Sequence, residues 1–73
     1  MDPTGFDPSL PGIRLLQTWI REQRVLGLEL MDGRRLDGRL VWQDPHYFAL
    51  HRDDSVDPVL INRQTVLTVR PLV

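Results

Sequence analysis

The 73-residue sequence contains no cysteine, which rules out disulfide bonds and thiolate metal sites. It also lacks an apolar run near the ~18 residues that a membrane-spanning helix requires, so we predict no membrane insertion. The first residues, MDPTGFDP, have neither the basic start nor the apolar centre of a signal peptide, and we therefore expect a cytoplasmic protein. A chain this short forms one domain with a small core, which favours oligomerisation as a source of stability.

Lysine is absent as well, so all nine basic residues are arginines, and the formal net charge is −1. This near-neutral charge argues against a strongly basic, non-specific nucleic-acid binder. The planar guanidinium of arginine suits bidentate contacts with phosphate or carboxylate groups, although genomic base composition accounts for the arginine bias equally well.

The sequence shows no pattern typical of an enzyme. It has no paired carboxylates, nucleophile elbow or glycine-rich phosphate loop, and His46 and His51 face opposite ways on a predicted strand. We therefore predict no catalytic residues, no metal site and no cofactor.

The most regular pattern is the stretch over residues 25–42, VLGLELMDGRRLDGRLVW. Leu26, Leu28 and Leu30 alternate with other residues, which is the period of a half-buried strand. The Asp-Gly pair ending at Gly33 predicts a hairpin turn. Gly38 inside the second strand marks a bend, a bulge or a close backbone approach, and a bent hairpin is how a small sheet begins to curl into a barrel.

The remaining segments complete one small domain over residues 9–73, preceded by a disordered tail over residues 1–8. An amphipathic helix is predicted over about residues 9–23, capped by Asp7 or Ser9 and held on the barrel by Trp19 and Trp42. The predicted apolar side of the helix comprises Ile13, Leu15, Leu16, Trp19 and Ile20. The predicted strands cover about residues 25–31, 35–43, 47–52, 59–62 and 65–70. The fold class is mainly β, a strongly bent five-stranded SH3-like barrel with an N-terminal helix.

Three segments carry a family resemblance: SLPGIRLLQTWIREQ at the helix, LELMDGRRLDGRLVWQD at the hairpin and VLINRQTVLTVRP at the closing strands. Together they resemble the Sm-like fold of bacterial Hfq, and the LPxxR and WQD runs are most similar to its cyanobacterial branch. The resemblance spans about residues 9–71. It implies a homohexameric ring, in which the fourth strand of one subunit pairs with the fifth strand of the next. It also implies an RNA chaperone that acts in post-transcriptional regulation.

The resemblance assigns three candidate surfaces. At the helix-side pore, Gly12 replaces a Gln of the family and Arg63-Gln64 replaces a Lys-His pair, which implies weakened binding of U-rich RNA. The full pore set is Gly12, His46, Tyr47, Arg63 and Gln64. The basic rim comprises Arg14, Arg21 and Arg24. On the opposite face, relatives bind A-rich RNA with a Tyr where this chain has Glu29, and the matching set is Glu29, Arg34, Arg35 and Thr68.

Two alternatives to RNA binding stay open. The cyanobacterial branch implies a protein-docking ring that binds the type IV pilus assembly ATPase and supports pilus function and motility. A monomeric barrel module that recognises peptides is the other alternative.

Overall fold

The structure, a computed structural model, describes residue 7 and residues 9–72, so most of the predicted disordered tail lies outside the described residues. Five antiparallel strands form one bent sheet in the order β4-β3-β2-β1-β5. The elements are α1 Pro11–Arg21, β1 Val25–Leu30, β2 Arg35–Gln43, β3 Tyr47–His51, β4 Val59–Asn62, a 3-10 turn Arg63–Thr65 and β5 Val66–Pro71. The predicted N-terminal helix followed by a bent five-stranded sheet is confirmed.

Helix α1 begins two residues later than predicted because of Pro11. The residue before a proline disfavours helical backbone angles, and Leu10 is extended, with φ −68° and ψ 137°. Neither Asp7 nor Ser9 caps the helix, contrary to prediction. The Asp7 carboxylate instead accepts hydrogen bonds from the backbone N–H and the hydroxyl of Ser9, at 2.9 and 2.8 Å.

The C-terminal end of α1 is also earlier than predicted, because Gln23 adopts a left-handed backbone with φ +54°. The N–H of Gln23 donates to the Ile20 carbonyl at 3.1 Å, and the N–H of Arg24 donates to the Trp19 carbonyl at 3.2 Å. This pair of bonds is the Schellman motif that closes many helices, usually with glycine at the left-handed position.

The hydrophobic core lies between the concave side of the sheet and α1. Its buried members are Leu26, Leu28, Leu30, Leu40, Phe48, Leu50 and Ile61. From the helix, Leu16, Trp19 and Ile20 pack against this cluster. Leu15 was predicted on the same side, but its side chain is 49% exposed. The buried stripe of α1 is therefore narrower than the sequence pattern indicates.

The bent hairpin forms as the two glycines predict. Gly33 has φ +90°, which only glycine adopts without strain, and it lies in the turn that joins β1 to β2. At Gly38 the carbonyl of His51 on β3 approaches so closely that any side chain at this position would displace it. Of the three alternatives that Gly38 left open, a bend, a bulge or a close backbone approach, the structure shows the close approach.

A bulge in β2 changes the role of Trp42. The β2–β3 pairing runs from Leu40 opposite Leu50 to Trp42 opposite Ala49, which leaves Val41 without a partner in the register. The extra residue turns Trp42 away from the core, and its side chain is 42% exposed. The prediction that Trp42 anchors the helix is therefore wrong, whereas Trp19 packs against the core as expected.

Candidate functional site

The turn between β2 and β3 is organised by Asp44. Its Oδ1 atom accepts hydrogen bonds from the backbone N–H groups of His46 and Tyr47, at 2.8 and 2.6 Å. These two bonds favour the ionised carboxylate, so they lower the pKa of Asp44 below its ordinary value of 3.8. Asp44 thereby fixes the backbone from which the His46 and Tyr47 side chains project.

The turn between β4 and β5 lies beside the first turn. The Asn62 side-chain oxygen accepts from the Gln64 N–H at 2.9 Å, and the Thr65 hydroxyl donates to the Asn62 carbonyl at 2.7 Å. The Arg63 N–H donates to the His46 carbonyl at 2.8 Å and joins the two turns. As a result, the sequence-distant side chains of Gln64 and Tyr47 border one cavity.

This cavity has a volume of about 340 Å³ and is lined by Pro45, His46, Tyr47, Asn62 and Gln64. We call it the pore-side cavity, because the family resemblance predicts that three of these residues lie at the pore of a ring. It combines one phenol ring, one imidazole and two side-chain amides. An exposed aromatic ring can stack on a nucleobase, and amides can hydrogen-bond base edges. Of the predicted pore residues, the cavity brings together His46, Tyr47 and Gln64.

Arg63 does not line the pore-side cavity but lies behind it. Its guanidinium carbon is 4.4 Å from the centroid of the Phe48 ring. The Nη1 atom donates to the Asp44 carbonyl at 3.1 Å, and Nη2 donates to the Gln43 side-chain oxygen at 3.0 Å. Burial lowers the pKa of Arg63, and the neighbouring Asp44 carboxylate partly opposes this effect. Arg63, which is half-buried, therefore supports the two turns that carry the cavity.

Gln43 extends this support to the helix. Its Nε2 atom donates to the Gln17 side-chain oxygen at 2.7 Å, while its own oxygen accepts from Arg63. We call Gln17, Gln43, Asp44 and Arg63 the polar brace. The brace links α1, the end of β2 and the β4–β5 turn. Sequence reasoning missed Gln17 and Gln43 as site residues, and the only signal was the Gln of the WQD run.

Gly12 and the rim arginines lie apart from the pore-side cavity. Gly12 is exposed in the first turn of α1 and does not line the cavity. Arg14 is exposed on α1, as is Arg21, whose Nη2 atom reaches the Thr18 hydroxyl at 3.4 Å. Arg24 lies 3.9 Å from the Glu22 carboxylate. The rim is thus a solvent-accessible set of arginines, partly offset by one acidic residue.

The opposite face of the sheet has a second cavity, of about 300 Å³. The β-sheet register places Glu29 beside Arg35 on one side and Thr68 on the other, and the Thr68 hydroxyl lies 3.4 Å from the Glu29 carboxylate. Arg34, although predicted here, instead forms a 2.7 Å ion pair with Asp32 in the hairpin turn. The lining of this opposite-face cavity is Gly27, Leu28, Glu29, Arg35, Leu36, Asp37, Thr68, Arg70 and Leu72.

Asp37, Arg70 and Leu72 of this lining were not predicted as site residues. The antiparallel register brings Asp37 and Arg70 to either side of Gly27 on β1, and they are far apart in the chain. Asp37 and Arg70 could have been predicted as neighbours only by predicting that β5 pairs with β1.

Neither a membrane-spanning helix nor a metal centre is found in the part of the chain that the structure describes. Over residues 9–72, no helix is long and apolar enough to cross a membrane. The same residues contain no group of three or more His, Asp or Glu side chains arranged to hold a metal ion.

Comparisons with known proteins agree with this architecture. A family profile described as "Hfq related" matches residues 10–71. A crystal structure of an Hfq protein from Anabaena sp. is 32% identical, with a TM-score of 0.75, over 86% of this chain and 98% of that one. A structure described as "the pleiotropic translational regulator, Hfq" shares the fold at 16% identity, with a TM-score of 0.70, over 77% and 90% of the two chains. Comparison with curated proteins gives no match.

Proposed function

The chain belongs to the Hfq-related family, and from this premise we propose that it binds single-stranded RNA and acts as a post-transcriptional regulator. The observation that supports RNA binding most directly is the pore-side cavity, where Tyr47, His46 and Gln64 converge. Single-stranded RNA is commonly recognised by stacking bases on aromatic rings and by hydrogen bonds to their exposed edges. Uracil, which offers two carbonyls and one N–H, fits the amides of this cavity.

We infer that this RNA binding is weak. The lining of the pore-side cavity has no arginine, and the guanidinium of Arg63 is engaged by Gln43, Asp44 and Phe48. Phosphate contacts then come from the rim residues Arg14, Arg21 and Arg24. Each phosphate contact releases counterions, so the affinity falls with added salt. The slope of the logarithm of the affinity against the logarithm of the salt concentration should be shallow, because the rim supplies few contacts.

The test is fluorescence anisotropy of a short labelled U-rich RNA at two salt concentrations. Two variants remove the base contacts: Tyr47→Leu deletes the stacking ring, and Gln64→Ala deletes the amide. Val56→Ala, at a fully exposed loop position, is the matched control. We expect salt-sensitive binding that the control retains. Tyr47→Leu should weaken it at least about fivefold, since stacking on an aromatic contributes about 1–3 kcal/mol per base, and Gln64→Ala should weaken it severalfold, since a hydrogen bond contributes about 0.5–1.5 kcal/mol. An RNA affinity that is the same at both salt concentrations, or that both variants retain, contradicts the proposal.

We propose further that the chain assembles into a homohexameric ring through its two sheet edges. Strands β4 and β5 are the edge strands, and each exposes a large apolar side chain: Leu60 is 52% exposed and Leu67 is 61% exposed. Unpaired edges with apolar side chains favour pairing with another copy of the chain. A repeated edge contact of β4 with the next β5 closes into a ring when the rotation between subunits permits it.

Native mass spectrometry tests the ring. The wild-type chain should give a hexamer, and Leu60→Pro should shift it to smaller species, because proline removes a backbone N–H from the edge strand. Val56→Pro, in the exposed loop before β4, controls for the effect of an added proline. A wild-type monomer at micromolar concentration would instead favour a peptide-recognising module.

A second candidate function is protein docking on the helix-bearing surface, where the proposed partner is the type IV pilus assembly ATPase. The observation that favours it is the exposed apolar side chain of Leu15 on α1, which the core leaves uncovered. Surface plasmon resonance with the purified ATPase tests it, with Leu15→Gln as the disrupting variant and Thr18→Gln as the control. Equal binding by Leu15→Gln and wild type, or no binding at all, would count against this candidate.

A further inference from the structure

The opposite face of the sheet carries charges of both signs in an alternating pattern. Two rows of register partners cross this face on strands β2, β1 and β5, one row centred on Glu29 and the next on Gly27. The first row is Arg35, Glu29 and Thr68, and the second row is Asp37, Gly27 and Arg70. Basic and acidic residues therefore alternate over this grid, and the two charges of each sign cancel.

These charges do not pair with one another inside the chain. Among the described residues, the exposed side chains of Arg35, Asp37 and Arg70 form no hydrogen bond and no ion pair. The Glu29 carboxylate accepts one hydrogen bond, from the Thr68 hydroxyl at 3.4 Å. The opposite face therefore presents charged groups that are accessible to a partner with the reverse pattern.

A two-fold axis makes this pattern complementary to itself. Register partners lie about 4.8 Å apart across the strands, and the two rows lie about 6.7 Å apart along them. The rows exchange places when a second copy is turned face to face about an axis that crosses the strands midway between them. Asp37 of each copy then faces Arg35 of the other, as in any isologous contact. Glu29 then lies over Gly27 of the other copy, one strand spacing from Arg70.

Leu72 adds an apolar group to the middle of this face. Its side chain lies against Gly27, where the Cδ2 atom would be 2.9 Å from an added Cβ, and it remains 45% exposed. The Leu72 N–H holds the segment in place by donating to the Val25 carbonyl at 3.0 Å. In a face-to-face contact, the two Leu72 side chains lie among the ion pairs and exclude water from them, which strengthens the attraction between the charges.

We propose that the opposite face is a self-association surface, and that its partner is the same face of a second copy of the chain. A polyanion such as RNA meets no net positive charge here, whereas a second copy places an opposite charge near every charge of the face. The inference goes beyond the proposed function, because the surface uses neither the pore-side cavity nor the edge strands β4 and β5.

The contact does not require the proposed ring, but the ring would strengthen it. Rotation about the ring axis repeats the face six times in the same orientation, so six weak contacts act together when two rings meet. A monomeric chain would form a dimer through this face, and a hexameric ring would form a stack of two rings.

The experiment is sedimentation velocity of the full chain, treated with ribonuclease, at low and high salt. We expect the mass at low salt to be twice the mass at high salt, because salt screens charges at a surface contact. Asp37→Arg makes the face mainly basic and Arg35→Asp makes it mainly acidic, so each variant alone should associate at least about tenfold more weakly at low salt. An equimolar mixture of the two variants should restore the doubled mass, since each mutated position then faces an opposite charge.

Matched controls change the same charges elsewhere. Asp54→Arg lies in the exposed loop before β4 and Arg14→Asp lies on the exposed side of α1, and both should keep the doubled mass at low salt. Restoration in the mixture also shows that the two face variants are folded.

Three results would overturn the proposal. These are a wild-type mass that does not double at low salt, a doubled mass that both face variants retain alone, and a mixture of these variants that stays undoubled. Doubling that appears only when RNA is added would overturn it too, because the face would then bind nucleic acid. The mass at high salt reports separately on the ring, so failure of the ring and failure of this surface are distinguishable.

Discussion

Replacing Arg63 with alanine tests whether the polar brace stabilises the fold. The substitution removes two hydrogen bonds from a charged donor, at 3.1 and 3.0 Å, and the contact of the guanidinium with the Phe48 ring. It leaves the Gln43 side-chain oxygen and the Asp44 carbonyl without this donor. The helix also loses its link to the β4–β5 turn, because Gln17 reaches Arg63 only through Gln43.

The size of the effect follows from these contacts. A hydrogen bond to a charged group contributes about 1.5–3 kcal/mol, and a partly desolvated cation–π contact adds about 0.5–2 kcal/mol. Water replaces part of the lost bonding, and the guanidinium no longer bears its own desolvation cost. We therefore expect Arg63→Ala to reduce the free energy of unfolding by about 2–3 kcal/mol, a large share of the ~5–15 kcal/mol that is typical of a domain. Arg63→Lys keeps the charge but lacks the planar fork, so it should lose about half as much.

Urea denaturation at one fixed protomer concentration measures this loss, since assembly would otherwise change the apparent stability. Arg34→Ala is the matched control: its ion pair with Asp32 is only 2.7 Å long, but the side chains are 71% and 54% exposed, so the loss should stay below about 1 kcal/mol. A loss in Arg63→Ala no larger than in Arg34→Ala would refute the stabilising role of the brace. A double-mutant cycle of Arg63→Ala with Gln43→Ala should show a coupling of roughly 1 kcal/mol.

Three further predictions concern single positions. Gly38→Ala should reduce the free energy of unfolding, measured by urea denaturation, by at least about 2 kcal/mol, because the added Cβ meets the His51 carbonyl. Its control, Gly12→Ala, adds a Cβ in open space on α1 and should be neutral or slightly stabilising. Gln23→Gly should raise the melting temperature, since it relieves about 1 kcal/mol of left-handed backbone strain, and an unchanged melting temperature would contradict this. The pKa of Asp44 is lower in the folded state, so its carboxylate stabilises the fold above the unfolded-state pKa, and this stabilisation is lost as the pH falls through the folded-state pKa. Urea titrations below about pH 4 should therefore show a smaller loss of folding stability with falling pH in Asp44→Asn than in the wild type.

The fold was largely predictable because its strongest signals are local. The alternating leucines of β1 identify a strand with one buried face, and Gly33 identifies the turn that follows it. The close approach at Gly38 was one of three alternatives that the sequence allowed, because a glycine inside a strand marks a bend, a bulge or a neighbouring backbone.

The errors arise where distant pairing overrides a local pattern. Trp42 continues the alternation of Leu36 and Leu40, but the register with β3 skips Val41 and reverses the direction of the tryptophan. The end of α1 was missed because Gln23 occupies a left-handed position that sequence rules assign to glycine.

The candidate sites were harder to predict than the fold for the same reason. Arg63 follows a strand and reads as an exposed cation, yet its position over Phe48 depends on the pairing of β3 with β4. Asp37 and Arg70 become neighbours only through β1. By contrast, the resemblance grouped His46, Tyr47 and Gln64, and these three residues line one cavity.

The order of the strands has a mechanical consequence. Strands β4 and β5 lie at opposite edges of the sheet, yet only the turn Arg63–Thr65 separates them in the chain. This turn is short, and its hydrogen bond to the His46 carbonyl restrains it, so we expect a displacement of one edge strand to displace the other as well. In the proposed ring, a twist at one edge of a subunit would therefore cross that subunit through the Arg63–Thr65 turn and reach the next subunit through the hydrogen bonds between paired edge strands.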